Sequence, residues 1–341
     1  LEVNVLVSME NVTEKIVRAV DVTAPDKDQN EQRKAEISRI TKASLEKTGL
    51  RSDVVELYQG GEYWLYRYQK YTDMRLVMAP ELQAAFYGGD PDNFTYPRFA
   101  LDFAFFRVYE NGKPVKIKNY LRWSKDGAAD GELVFVTGHP GRTDRLNTVA
   151  QLEYARDIGL PLYLEVARKI REDYYGYAKR GAEQARRSKD RIFGVENALK
   201  AVGGEHEGLL DPALMSSLKA AEDELRRSAA ASSDSEVREA AGSWERIAAA
   251  QKKHGERRLQ TTYRRFDATK IAALANTIVR YVAEVAKPND KRYEEFRESN
   301  LESLRFRLFS PAPVYPDMEE YLLARAFEDA VAKLGHDDEF V

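Results

Sequence analysis

The spacing of apolar residues changes once along these 341 residues, near Asn147, and that change constrains the fold more than any other feature. Before it, short runs with β-branched and aromatic residues alternate with turn formers: residues 1–7, 54–58, 62–71, 74–78, 102–109 and 133–137. A period of two over so few residues predicts half-buried strands, and Gly60-Gly61 between two of the runs predicts a hairpin. One stretch of this half departs from the pattern. Residues 29–47 are charged and amphipathic, with Ile37, Ile40 and Leu45 on the apolar side, and predict a helix inserted between strands. After Asn147 the period becomes 3.6, predicting helices over 148–158, 161–179, 183–202, 212–229, 235–259 and 268–286. Asp211-Pro212 reads as an N-cap followed by proline at the first helical position, and residues 232–235 as a polar break. The expected class is α+β, with a sheet-rich unit over 1–146 and a helical unit over 147–341.

Length supports two units, because single cores stop growing near ~250 to 300 residues. With 43% hydrophobic and 11% aromatic residues the chain can build real cores. Acidic and basic residues nearly balance, 56 against 53, so no global field directs the chain to nucleic acid or to a membrane surface. There is no cysteine, which excludes disulfides, thiolate zinc sites and a cysteine nucleophile. The four histidines, His139, His206, His254 and His336, are scattered without metal-ligand spacing. No apolar run approaches the ~18 residues of a membrane span, and no signal peptide is legible. Because the chain begins at Leu1 inside a strand pattern, its start reads as a cut through a folded protein, so the missing signal carries no information on localisation. The alternating charge of the second half reads as a solvated helical bundle. A coiled-coil adaptor would need sustained heptads, yet Gly, Pro and Ser interrupt every ~25 to 35 residues.

Residues 87–98, Tyr-Gly-Gly-Asp-Pro-Asp-Asn-Phe-Thr-Tyr-Pro-Arg, form a loop dense in turn formers and aromatics, followed by the apolar run around Asp102. One reading is an Asx turn that caps its own backbone beside core aromatics. Asp102, flanked by Leu101 and Phe103, reads as a strand carboxylate buried on both faces, which must find a donor such as an imidazole.

The Gly-Gly-Asp-Pro-Asp-Asn run, the following Pro-Arg, Asp102-Phe103 and Phe106-Arg107-Val108-Tyr109 resemble the dipeptidyl peptidase 7 and dipeptidyl peptidase 11 family. The similarity continues through Gly112-Lys113-Pro114, residues 138–143 and the helical stretch 186–200. It implies part of a chymotrypsin-like antiparallel β-barrel followed by an inserted α-helical domain. It further implies a serine exopeptidase that releases dipeptides from peptides with a free N-terminus, with no metal or organic cofactor, working as a homodimer in the periplasm or at the cell surface. Asp102 falls on the catalytic aspartate that orients the histidine base. Asn93 falls on the asparagine that holds the substrate's ammonium group, a donor-only ligand for which an amide oxygen is a fitting acceptor. Phe94 stands where the family has tryptophan, keeping an apolar wall and losing an indole donor. Asn197, in the run 194–200, falls on a helical asparagine that also helps hold the N-terminus.

The same resemblance makes this chain an internal fragment, with the histidine expected upstream of Leu1 and the serine beyond Val341. No Gly-x-Ser-x-Gly elbow offers a substitute. Gly242-Ser243 lies in a helical run, and His139 belongs to a Gly-His-Pro-Gly turn with no nucleophile beside it. The fragment alone is expected to be inactive. A non-catalytic peptide-binding or scaffold protein on the same fold is the alternative, and residue preference next to the scissile bond stays open.

Overall fold

A computed structural model describes residues 2–136, 145–265 and 267–341. The chain forms two compact units, Leu1–Ala85 with Ala100–Leu146, and Phe86–Phe99 with Asn147–Val341.

The first unit begins with β1 (Val3–Asn11), α1 (Thr13–Arg18) and α2 (Asp26–Thr48), continues with β2 (Arg51–Leu57), β3 (Glu62–Tyr71) and β4 (Asp73–Met78), and ends with α3 (Leu82–Ala85), β5 (Phe105–Glu110) and β6 (Lys113–Pro114). Strands β1, β3 and β2 make one antiparallel sheet in that order, with the expected hairpin closing at Leu57 opposite Glu62. Alternation on β3 turns Tyr63 and Leu65 to one face, where they meet Val12, Ile16 and Ile40 in a small core edged by Ile37 and Val54. Burying each such aliphatic side chain contributes about 1.5–3 kcal/mol. That burial is what holds the charged helix α2 on a sheet. Thr13 fixes the junction: its hydroxyl accepts from the Tyr63 amide at 2.9 Å and donates to the Tyr63 carbonyl at 3.3 Å.

Strands β4, β5 and β6 make a second antiparallel sheet. Here the expected strand over 102–109 is shortened, because its ladder starts only where Met78 faces Phe105. Beyond Met78 the partner strand cannot continue. Pro80 has no amide to donate, and the Glu81 carbonyl already accepts from the amides of Ala84 and Ala85 in the turn that opens α3. Residues 101–104 therefore lie outside the sheet. Leu101 donates to the Ala84 carbonyl and Phe103 to the Leu101 carbonyl. Residues 133–136 are irregular and exposed, so the last expected strand does not form among the described residues. The α+β class holds, with small open antiparallel sheets and, among the described residues, no closed barrel.

The second unit is helical: α4 (Gly89–Asp92), α5 (Val149–Tyr154), α6 (Leu160–Ala178), α7 (Ala182–Leu209), α8 (Pro212–Ala230), α9 (Ser235–Ala240), α10 (Ser243–Tyr263), α11 (Lys270–Val285), α12 (Leu301–Leu308) and α13 (Pro316–Leu334). Caps written in the sequence set several starts. Thr148 and Gln151 form a reciprocal capping box at α5, Asp211 accepts from Ala213 at 2.8 Å ahead of Pro212, and Thr269 caps α11. The single helix expected over 235–259 is two, since three-residue bonds from Ala241 and Gly242 close α9 and glycine has little helical propensity. Helices α6 and α7 pack as a hairpin, and α13 lies against α6. Gly176 permits that approach: a Cβ there would sit 2.6 Å from the Tyr321 hydroxyl. Tyr177, fully buried, donates to Asp317 at 2.7 Å, and Arg187 donates to the same carboxylate at 3.0 Å. Among the described residues no helix is long and apolar enough to cross a membrane.

Candidate functional site

The loop 86–99 belongs to the helical unit, and its side chains converge on one face of α7. Phe193, Asn197 and Lys200 follow the i, i+4, i+7 spacing that aligns them along a helix. Each meets a loop residue. Phe193 takes the Phe86 ring edge-on, with centroids 4.6 Å apart and planes at 82°. Lys200 pairs with the Asp90 carboxylate at 2.9 Å and also donates to the Asp90 carbonyl. Asn197 accepts through Oδ1 from Asn93 Nδ2 at 2.9 Å.

Tight turns let the loop reach these partners. Gly88 has φ +77°, in the left-handed region, and a Cβ there would lie 1.8 Å from Asp92 Oδ2, so any other residue would be strained and would have to displace Asp92. The short helix α4 that follows carries Asp90 and delivers Asn93 at its end. Phe94 also has a left-handed φ, +64°, and its ring is 63% exposed.

Asn93 is held from its other side by Arg98, whose Nη1 donates to Asn93 Oδ1 at 2.8 Å. The guanidinium lies over the Phe86 ring at 4.7 Å, a cation–π contact that fixes its plane. Asn93, Asn197 and Arg98 are half-buried. Among the described residues, two buried polar atoms at the cluster, Asp90 Oδ1 and Arg98 Nε, have no hydrogen-bond partner. Such atoms cost stability unless something else satisfies them. Beside Asn197 on α7, the Glu196 carboxylate accepts from the Tyr175 hydroxyl at 3.3 Å and pairs with Arg171 at 3.5 Å. Burial first, and the Glu196 charge second, push the Tyr175 phenol above its ordinary value. The two asparagines leave a free lone pair on each amide oxygen, which suits a donor-rich cation.

Asp102 is placed differently from the sequence expectation. It belongs to the sheet-rich unit, it is exposed, and among the described residues its carboxylate has no hydrogen-bond partner. The reading of a carboxylate buried between two apolar faces is corrected, because the strand that would bury it does not extend that far. His139 and the turn 138–143 lie outside the described residues. Sequence reasoning missed Arg98, Asp90, Phe193 and Lys200 as parts of the cluster. The helical spacing of the last two with Asn197 was the signal available.

A family model described as peptidase S46 matches residues 1–341. The chain belongs to the peptidase S46 family. The membership expected from the Gly88–Arg98 motif is borne out. This S46 chain is 30% identical over 179 residues to dipeptidyl-peptidase 7 of Capnocytophaga gingivalis, an alignment covering 49% of this chain and 25% of that protein. It is 42% identical over 118 residues to the Asp/Glu-specific dipeptidyl-peptidase of Shewanella putrefaciens, covering 31% and 16%. The crystal structure of Porphyromonas endodontalis DPP11 in complex with the dipeptide Arg-Asp matches with a TM-score of 0.69 at 18% identity, over 98% of this chain and 50% of that one. The same protein in complex with substrate matches with a TM-score of 0.65 at 19% identity. At such identity the structural likeness concerns the fold. This S46 chain spans about half the length of the solved chains it matches.

Proposed function

We propose that the whole protein is a serine-type dipeptidyl aminopeptidase, and that the Asn93 cluster holds the free N-terminus of its peptide substrate. The observation that carries this reading is the pairing of Asn93 with Asn197 at 2.9 Å, on segments far apart in sequence, in a chain of the S46 family. An ammonium group donates three hydrogen bonds and accepts none, so it needs oxygens that are not saturated, and the paired amides present two. Anchoring the amine a fixed distance from the scissile bond makes the product a dipeptide. The exposed Phe94 ring is assigned to the wall beside that amine.

Asp102 is assigned as the triad aspartate on the family motif alone. Its histidine and serine partners are taken to lie outside the 341 residues, where they would form an acyl-enzyme that water resolves. Supporting the peptide-directed reading, a relative of the same fold has been solved with a dipeptide and with substrate. A homodimeric, periplasmic or surface-exposed enzyme completes the proposal.

In the whole protein, Asn93→Ala is expected to lower the preference for a free over an N-acetylated peptide about ten- to a hundredfold, the range for losing a hydrogen bond to a charged group. The measurement is the ratio of kcat/KM for the two substrates. An unchanged ratio would remove Asn93 from amine binding.

A further inference from the structure

We infer that Arg98 is the positioning residue that decides which way the Asn93–Asn197 pair faces, and so makes the pair an acceptor site for a cation. The inference rests on the amine-anchor reading above and goes beyond it to a residue that does not touch the substrate.

Two facing asparagine side chains are degenerate. Either amide can donate and either can accept, so the pair alone permits two arrangements of opposite polarity at the surface it presents. Arg98 removes the degeneracy. A guanidinium has donors and no acceptor, so the Asn93 atom 2.8 Å from Nη1 must be the oxygen. The Asn93 amide nitrogen is thereby turned toward Asn197, whose oxygen receives it at 2.9 Å. One donor-only group thus sets both amides in series. In the opposite arrangement the Asn93 nitrogen would point at the guanidinium and at any bound ammonium, donor against donor.

The support for Arg98 is built in. Its plane rests on Phe86, and Phe86 is braced by Phe193, one turn from Asn197 on the same face of α7. The helix therefore holds both ends of the chain of contacts, directly at Asn197 and through two rings at Arg98.

The test compares Arg98→Gln with Arg98→Lys in the whole protein. Glutamine donates and accepts, so it restores the degeneracy; lysine is donor-only and preserves the polarity. For Arg98→Gln, KM for a free-amine dipeptidyl substrate is expected to rise about tenfold with kcat nearly unchanged, and cleavage of the N-acetylated analogue to stay as it was. Arg98→Lys is expected to retain most of the free-amine preference. Combining Arg98→Gln with Asn93→Ala should add nothing to Asn93→Ala alone, because Arg98 acts through Asn93. Equal losses in the glutamine and lysine variants, or additive losses in the double variant, would overturn the inference. If Arg98→Gln does not fold, as judged by its melting transition, Arg98→Lys decides: loss of the preference in that folded variant overturns it as well. If Asn93→Ala leaves the preference intact, the amine-anchor reading fails instead. If Asn93→Ala lowers it and Arg98→Gln does not, only the positioning role of Arg98 fails.

Discussion

Asn93 and Asp102 are close neighbours in the sequence, yet the chain holds them by different means. Asn93 is gripped from two directions, by Arg98 within its own loop and by Asn197 on α7. Asp102 is exposed and, among the described residues, unpartnered. The lesson is about order. The Asn93 cluster is held by side chains of its own unit, and groups held in this way have less conformational freedom to lose when they bind. In the proposed reading, the Asp102 carboxylate takes its orientation from the histidine it pairs with.

That contrast can be broken by substitution. The largest effect is expected from Asp102→Asn in the whole protein: turnover falls on the order of 10⁴-fold, as when a triad aspartate can no longer fix the imidazole tautomer. The melting temperature should stay where it was, because an exposed, unpartnered carboxylate supports little structure. Steady-state hydrolysis and a thermal melt read the two halves of this expectation. Near-normal turnover would remove Asp102 from the catalytic machinery, and a large drop in melting temperature would mean that Asp102 has a structural partner.

A smaller effect sharpens the other side of the comparison. At the start of α7, the helix that carries Asn197, Glu183 accepts from Arg186 and Arg187, and these bonds lower its carboxyl to about 2. A carboxyl lowered on folding stabilises the folded chain above its ordinary value near 4.5, and that support is lost as pH falls through about 2. The first turn of α7 should thus stay anchored through mildly acidic pH. Titration of the Glu183 carboxyl by NMR should give a midpoint near 2; a midpoint near the ordinary value would show that the two arginines do not hold it.

The elements that sequence reading recovered were those in which local pattern and tertiary packing agree. Ile37 and Ile40 mark the apolar side of α2 and do pack on the sheet. Asp211-Pro212 and Thr148 start helices because their caps are chemical, not contextual. The failures have the opposite cause. The strand around Asp102 looked complete because Leu101, Phe103 and Phe105 alternate, but a strand needs a partner, and Pro80 and the turn at Glu81 withdraw it. Gly242 broke a helix that charge and apolar spacing ran straight through. At the candidate site, Asn93 and Asn197 were legible only through family resemblance, and no local pattern pairs a loop with a helix so far downstream. Arg98 was in plain view within the motif, but its role depends on a ring from Phe86 and an oxygen from Asn93 that only the folded loop brings together.

The most direct test of the central claim is product analysis with the whole protein on one peptide in two forms, free and N-acetylated. Release of the N-terminal dipeptide from the free form, with little or none from the acetylated form, is the expected result. Equal cleavage of both forms, or cleavage at a position other than the second peptide bond, would contradict the assignment of the Asn93 cluster as the anchor for the substrate's amine.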